Sequence, residues 1–166
     1  MDKSPDISRA KISSNDPLLA KFRLFAELSH DELDAMVAHC NIVHVPAGHR
    51  VISAGERGHC MYVILKGEVR VTAPDTTPEI EFAVLKGGDF LGEIALVDDG
   101  LRSANVTALQ DCELLSITRM TLGLLAGLHP SVAIHILAAI GRSLVARLRS
   151  GNKRYVDIIL TGDKPA

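Results

Sequence analysis

The chain is poor in aromatic side chains and in cysteine. It has no tryptophan, two tyrosines and four phenylalanines, so its core has to be built from aliphatic side chains. Its three cysteines, Cys40, Cys60 and Cys112, are an odd number without close spacing, which argues for reduced thiols rather than a disulfide framework. With 166 residues, 47% of them hydrophobic, the chain is expected to form one domain with a real core.

Long apolar runs and a targeting segment are also missing. No uninterrupted apolar run reaches the roughly 18 residues that a bilayer span needs. Residues 1–15 are polar and lack the apolar core of a signal peptide. These features predict a cytoplasmic protein without membrane contact. Net charge is −2, and residues 130–166 hold six Lys/Arg against two acids. A strongly basic chain would indicate nucleic acid as a partner, and this chain is not strongly basic.

Cap and turn residues divide the sequence into helical ends and a β-rich middle. Residues 1–15 predict a flexible arm. Asp16-Pro17 predicts the start of a first helix, and Ser29 with Glu32 forms the capping box of a second. Over residues 41–117, short apolar segments separated by glycine turns indicate the strands of a sandwich or barrel.

The last third of the sequence is helical. One helix is expected over residues 118–128, and a longer one begins at Ser131 after His129-Pro130. Gly151-Asn152 leaves two interpretations open. It is either a C-cap that ends this helix, or part of a continuous helix in which Gly141 and Gly151 each cost about 1 kcal/mol of helix stability.

A coiled-coil seam follows the longer helix, with members at alternating steps of four and three. Its members are Leu137, Gly141, Leu144, Leu148, Gly151, Tyr155 and Ile158. The seam predicts a homodimer, although packing against the chain's own β domain would produce the same period.

The most informative stretch is Phe90–Leu96. Gly92 lets the backbone approach a ligand closely, because it has no Cβ. Behind it begins a short predicted helix, whose first amides, those of Ile94 and Ala95, are expected to point outward and favour an anion. This turn therefore predicts an anion site.

A loop then delivers Arg102 and Ser103 into the next predicted strand. Arg102 can grip a phosphate through forked, charge-assisted hydrogen bonds, although a surface arginine would pair with Asp98 or Asp99 instead. Glu93 would repel a phosphate, so it makes sense only as the acceptor for a neutral donor such as a ribose 2′-OH. A phosphate and a sugar hydroxyl together outline a nucleotide.

These residues resemble the phosphate-binding cassette of the cyclic nucleotide-binding domain, whose pattern is Gly-Glu-x-small-apolar, a short spacer and Arg-(Ser/Thr/Ala)-Ala. A second pattern of that family also fits, at Val51-Ile52, Gly55-Glu56, Gly58, Met61-Tyr62-Val63-Ile64 and Gly67. The resemblance implies an α+β fold, with an eight-stranded antiparallel β jelly-roll barrel, N-terminal helices, a short cassette helix and C-terminal helices. The domain would cover residues 16–150, after an arm at 1–15 and before a helix continuation or tail at 151–166.

The resemblance also implies a role for each site residue. Arg102 and Ser103 would hold the cyclic phosphate, and Glu93 with Gly92 the ribose. In the family the base is covered by the helix that follows the barrel, where Arg147 could stack its guanidinium on a purine. Phe82, Ala83, Leu85 and Leu91 form an apolar wall for the base or are simply core, and Ile94 and Ala95 of the cassette are the remaining candidates.

The implied function is a sensor that binds a cyclic 3′,5′-nucleotide, cAMP rather than cGMP, and signals through its C-terminal helix to a second copy or an effector protein. No cofactor, metal site or catalysis is expected, since the histidines and cysteines lack zinc spacing and no activated nucleophile is in view. The alternative is an interaction scaffold whose pocket is empty or takes another ligand such as c-di-GMP. The sequence stops at Ala166, too soon for the helix-turn-helix domain of catabolite activator-type bacterial regulators, so direct sequence-specific DNA binding is not expected.

Overall fold

The computed structural model describes residues 6–9, by their backbone, and residues 19–161. Within these residues, nine strands form two sheets. The strands are β1 (Asp6–Arg9), β2 (Asn41–Val45), β3 (Arg50–Ile52), β4 (Cys60–Lys66), β5 (Glu68–Thr72), β6 (Glu81–Lys86), β7 (Phe90–Leu91), β8 (Asn105–Ala108) and β9 (Cys112–Thr118). The α-helices are α1 (His30–Val37), α2 (Ile94–Val97), α3 (Arg119–Leu128) and α4 (Pro130–Thr161).

The two sheets have the strand orders β1-β2-β9-β4-β7 and β3-β8-β5-β6, and all their pairings are antiparallel. The α+β class with antiparallel sheets and C-terminal helices is therefore confirmed. The described strands number nine, one more than predicted, and form two sheets, as a jelly roll does, while closure of these sheets into a barrel stays a prediction. β7 has only two residues, which is too short for an alternating pattern to reveal.

The N-terminal segment differs from the expected arm at four residues. β1 pairs with β2, from Asp6 opposite His44 to Arg9 opposite Asn41. It completes the backbone hydrogen bonding of β2, whose outer edge would otherwise be open. Asp and Ser are depleted in strands, so the composition of this segment gave no strand signal. The rest of the expected arm and the Asp16-Pro17 cap lie outside the described residues.

Where the first α-helix was predicted, after Asp16-Pro17, the described residues form a 3₁₀ helix and turns. A 3₁₀ helix occupies Leu19–Lys21, and the next turns continue with steps of three residues. Phe25 N–H donates to the Phe22 carbonyl at 2.8 Å, and Leu28 N–H donates to the Phe25 carbonyl at 2.9 Å. A spacing of three between apolar residues matches a 3₁₀ helix, which has 3.0 residues per turn. The predicted α-helix is therefore wrong here.

The sequence made a definite prediction for the start of α1 and left the end of α4 open. Ser29 caps α1, where Glu32 N–H donates to Ser29 Oγ at 3.3 Å and Ser29 N–H donates to Glu32 Oε2 at 2.9 Å, so the predicted capping box is confirmed. α4 runs without a break from Pro130 to Thr161. The helix therefore passes through Gly151 instead of ending there.

Two apolar clusters hold these layers together. The cluster between the sheets contains Val43, Val45, Ile52, Ile64, Val69, Leu91, Val106, Ala108, Cys112 and Leu114. The second cluster joins the five-stranded sheet to the helices, with Met61 and Leu115 from the sheet and Val132, Ile136 and Ile140 from α4. The start of α4 is thereby fixed against the β domain.

The predicted seam is mixed, because Leu144 packs against the second cluster while other members are exposed. Leu137, Leu148 and Tyr155 expose 41%, 64% and 67% of their surface. Packing against the chain's own core therefore accounts for Leu144 but not for these three residues.

α4 is also long and apolar enough to cross a bilayer, when only length and composition are considered. Pro130–Asp157 is 28 residues long and contains an 18-residue window with a mean hydropathy of 1.5. The sequence-based expectation had considered only uninterrupted apolar runs. A helix that packs on the core of a globular domain meets the same criterion, and the start of α4 packs in this way.

Candidate functional site

A cavity of about 440 Å³ lies between the four-stranded sheet, α4 and residues 90–104, here called the cassette. The structure brings to it every residue that the sequence singled out, namely Phe82, Ala83, Leu91, Gly92, Glu93, Ile94, Ala95, Arg102, Ser103 and Arg147. The cassette forms one end of the cavity, β5 and β6 supply apolar side chains, and α4 closes it from the side.

Glu93 is buried at the cassette end, with only 1% of its surface exposed. Its Oε1 accepts a hydrogen bond of 2.7 Å from Arg147 Nη1, whereas its Oε2 has no partner. An unpartnered buried oxygen is costly, so a ligand that donates a hydrogen bond would satisfy it. A sugar hydroxyl is such a donor.

Arg102 faces the same cavity and is fixed by two carbonyl groups. Its Nη1 donates to the Gly92 carbonyl at 2.9 Å, and its Nη2 donates to the Cys60 carbonyl at 2.7 Å. Among the described residues no carboxylate pairs with it. Burial raises the pKa of Tyr62 above its usual range, and a hydrogen bond with Cys60 adds to the shift, so this neighbouring phenol stays neutral. The positive charge and the remaining donors of Arg102 are thus available to an anion.

Two glycines make room for this guanidinium. Gly92 has a φ of +73°, and a Cβ there would stand 2.7 Å from Arg102 Nη1. At Gly58 a Cβ would stand 2.5 Å from Arg102 Cζ and 2.8 Å from the Cβ of Ala95. The expected reason for Gly92, close approach of a ligand, is therefore incomplete, because the arginine itself needs the space. Gly58 belongs to the second family pattern and is the glycine whose role sequence reasoning did not identify.

The short helix α2 is tied at both ends. Ala95 N–H donates to the Gly92 carbonyl at 3.2 Å, so the expectation of a free amide is wrong at Ala95. Arg119, at the start of α3, donates from Nε to the Ala95 carbonyl at 2.5 Å and also contacts the Asp98 carbonyl and the Asp99 carboxylate. Arg119, not Arg102, is therefore the arginine that pairs with this acidic loop.

Phe82 and Ala83 of β6 form part of an apolar wall. The alternative that Phe82 is simply core is wrong, because 53% of its surface is exposed. Leu85 and Val71 line the same side. A flat apolar group such as a nucleobase fits chemically against this wall.

α4 contributes more than the single residue that the sequence indicated. Ser150, Gly151 and Arg154 line the cavity together with Arg147. Their spacing of three and four places them on one helix face, a signal that was available once Arg147 was chosen. The Arg147 guanidinium lies on Glu93, and its Nη2 is 3.4 Å from the Phe90 carbonyl. A stacking role for Arg147 on a purine stays a prediction.

Metal and thiol groups do not form a second site within the described part of the chain. No group of three or more His, Cys, Asp or Glu side chains there could hold a metal ion. Cys40, Cys60 and Cys112 are free and buried, and burial raises the pKa of Cys40 to about 12. The Cys40 thiol therefore stays protonated near neutral pH.

The comparison with protein families agrees with the nucleotide-binding chemistry of the cavity. The family model of the cyclic nucleotide-binding domain matches residues 42–126, which is more than half of the chain. The chain belongs to the cyclic nucleotide-binding domain family. The matched stretch includes all of the cassette.

The relatives of this cyclic nucleotide-binding domain include regulators and kinases. The cAMP-activated global transcriptional regulator CRP of Pasteurella multocida is 32% identical over 129 residues, which cover 76% of this chain and 62% of the regulator. The cGMP-dependent protein kinase egl-4 of Caenorhabditis elegans is 36% identical over 113 residues, covering 66% of this chain and 14% of the kinase. The crystal structure of the Thermus thermophilus catabolite activator protein superposes with a TM-score of 0.71 at 31% identity, covering 82% of this chain and 62% of that one. The chain thus spans less than two thirds of the length of these proteins.

Proposed function

We propose that this domain is a sensor that binds a cyclic 3′,5′-nucleotide monophosphate in the cavity beside α4. The observation that carries the proposal is the pair formed by Glu93 and Arg102. A buried acceptor without a partner and a guanidinium without a counter-charge face one cavity, and they suit the two polar parts of such a ligand.

In this proposal each end of the ligand meets matching chemistry. Arg102 donates to the anionic cyclic phosphate, with Ser103 as a neutral donor beside it. The ribose 2′-OH donates to Glu93 Oε2, while Oε1 stays with Arg147. The base lies against Phe82 and the other apolar side chains of β5 and β6. None of these contacts calls for a bond to be broken, and we propose a binding role without catalysis.

The output would pass through α4, because Glu93 accepts from α4 and from the ligand at the same time. A ligand can shift α4 only by as much as its affinity differs between two helix positions. The exposed seam residues Leu137, Leu148 and Tyr155 offer a surface that a second copy of α4 would cover. We therefore include a homodimer in the proposal, with an effector protein as the other possible receiver. A cytoplasmic location is also part of the proposal.

A titration with cyclic mononucleotides tests the proposal. Ligand in excess should raise the midpoint of thermal unfolding, because binding to the folded state adds RT ln(1 + [L]/Kd) to its stability. Calorimetry should give a stoichiometry of one per chain. An unfolding midpoint that does not move with millimolar cAMP, cGMP or other cyclic mononucleotides would refute the proposal. A response to c-di-GMP alone would favour the alternative ligand class.

The dimer has a test of its own. Sedimentation should show two copies of the chain per particle, and Leu148→Glu should dissociate them by placing charge in the seam. Arg149→Glu, one residue away and outside the seam, serves as the control. A wild-type monomer at high concentration would contradict the homodimer and leave the nucleotide site untouched.

A further inference from the structure

One guanidinium at the cavity has no partner. Arg154 of α4 lines the cavity, and no hydrogen bond or ion pair joins its side chain to a described residue. The other two arginines there are both engaged, Arg102 with two carbonyl groups and Arg147 with Glu93. An arginine that faces a binding cavity without a protein partner is available to a ligand.

The position of Arg154 assigns it to the base end of the ligand. Arg147 marks the sugar end, because it contacts Glu93. Arg154 follows seven residues later, about 10 Å further along the helix axis at 1.5 Å per residue. The base of a cyclic nucleotide is attached to the ribose on the side away from the cyclic phosphate, so in the proposed site it extends away from Arg102 into the part of the cavity that the apolar side chains and Arg154 line.

The chemistry of the purine edge then decides between ligands. A guanidinium can only donate hydrogen bonds. A purine with a carbonyl at position 6 offers it two acceptors, O6 and N7, whereas adenine offers N7 beside a 6-amino donor. On the basis of the proposed cyclic nucleotide site, we propose that Arg154 reads the base edge and selects a 6-oxopurine, so that the preferred ligand is cyclic GMP or a close analogue.

The remaining cavity side chains point in the same direction. Among the described residues that line the cavity, Glu93 is the sole carboxylate and no asparagine or glutamine is present. Ser150 is the hydroxyl that α4 contributes. A 6-amino group would thus find one neutral side-chain acceptor on α4 and face the charge of Arg154. This differs from the expectation of cAMP, which rested on the resemblance to catabolite activator-type regulators.

Three ligands and three variants test the inference. Calorimetric titrations with cyclic GMP, cyclic IMP and cyclic AMP are made on wild type, Arg154→Ala, Arg154→Lys and Lys153→Ala. Cyclic IMP shares O6 and N7 with cyclic GMP but lacks the 2-amino group. In wild type both 6-oxopurines should bind at least about fivefold tighter than cyclic AMP, the low end for a bidentate arginine contact.

The variants should distinguish the bidentate hydrogen bonding of Arg154 from its positive charge alone. Arg154→Ala should remove the preference by weakening the two 6-oxopurines, and Arg154→Lys should restore only part of it, because an ammonium cannot form the bidentate contact. Lys153→Ala removes the same charge from the neighbouring position, which does not line the cavity, and should leave the preference unchanged.

Each other outcome overturns the inference in a defined way. Wild type that binds cyclic AMP as tightly as cyclic GMP, or a preference that survives in Arg154→Ala, refutes the role of Arg154. A preference for cyclic GMP that cyclic IMP does not share would assign the selectivity to the 2-amino group instead. Folded wild type that binds none of the three ligands would refute the proposed function as well, which a preference for cyclic AMP would not.

Discussion

The two ends of the cavity differ in how their side chains are held. At the cassette end, Glu93 is buried and Arg102 is fixed between two backbone carbonyls, with Gly58 and Gly92 leaving just the space that it occupies. At the end where we propose that the base lies, Arg154 belongs to the exposed second half of α4 and has no partner among the described residues. One end is part of the folded β domain, and the other depends on where a helix lies.

This difference suggests how binding and signalling are divided. The cassette is preorganised, so the phosphate and the sugar of the proposed ligand would meet groups that need little rearrangement. The base end is complete only while α4 lies along the cavity. A ligand that contacts both ends would therefore favour that position of the helix, and the contact between Arg147 and Glu93 is the protein's own link between the two ends.

The largest expected effect comes from removing the fixed guanidinium. Truncating a buried, hydrogen-bonded charge partner costs roughly 2–5 kcal/mol, so Arg102→Ala should weaken cyclic nucleotide binding by at least about thirtyfold. Calorimetry measures the loss. Arg50→Ala, an exposed arginine on β3 outside the cavity, is the matched control. Unchanged affinity in Arg102→Ala would remove the cassette end from the site.

A smaller loss is expected at the buried acid, because its ligand partner is a neutral hydroxyl. Wild type should prefer a cyclic nucleotide over its 2′-deoxy analogue by about tenfold, as for a hydrogen bond to a charged group. Glu93→Ala should bind both analogues equally, and Glu81→Ala, an exposed acid on β6, should keep the preference. Discrimination against the 2′-deoxy analogue that persists without Glu93 would place the ribose elsewhere.

Breaking the contact between Arg147 and Glu93 should change ligand affinity by only a few fold. The Arg147 side chain is 51% exposed, so its pair with Glu93 is partly screened. Arg147→Ala should weaken ligand binding by about two- to fivefold, in the range of exposed ion pairs. Hydrogen exchange should show that ligand protects the second half of α4 in wild type and in Arg149→Ala, but less in Arg147→Ala. Equal protection in all three would mean that the helix is not coupled through Glu93.

The same division explains what the sequence could predict. Glu93 and Arg102 are nine residues apart in one local motif, so their pairing needs no knowledge of the rest of the fold. Ser150 and Arg154 reach the cavity because α4 lies beside the cassette, and Arg154 needs in addition that the helix continues through Gly151. That placement depends on packing at the start of α4, which involves several elements distant in sequence.

Errors in the fold have similar physical causes. The apolar residues Leu19, Phe22, Phe25 and Leu28 are three residues apart, which the α-helical expectation treated as part of a 3.6-residue period. β1 has a polar sequence, and its pairing reflects the open edge of β2 rather than its own propensity. The first error came from the small difference between a period of 3.0 and one of 3.6 residues. The second came from a partner strand that lies far away in the sequence.

The smallest effects separate the fixed half of α4 from its exposed half. At Gly141 and at Gly151 a Cβ would meet nothing within 4 Å, so alanine should fit at both positions. Gly141 follows Ile140, which is buried in the core, whereas Gly151 lies among exposed residues. The two positions therefore report on the fixed and the exposed half of α4 respectively. Replacing a helical glycine by alanine contributes roughly 0.5–1 kcal/mol, so Gly141→Ala should raise the unfolding midpoint by about 1–4 °C. Gly151→Ala should increase helical circular dichroism with little change in that midpoint, because the second half of α4 is expected to unfold separately. Equal shifts of the unfolding midpoint in the two variants would show that α4 unfolds as one unit with the β domain, and the contrast between a fixed cassette and a movable base end would then be lost.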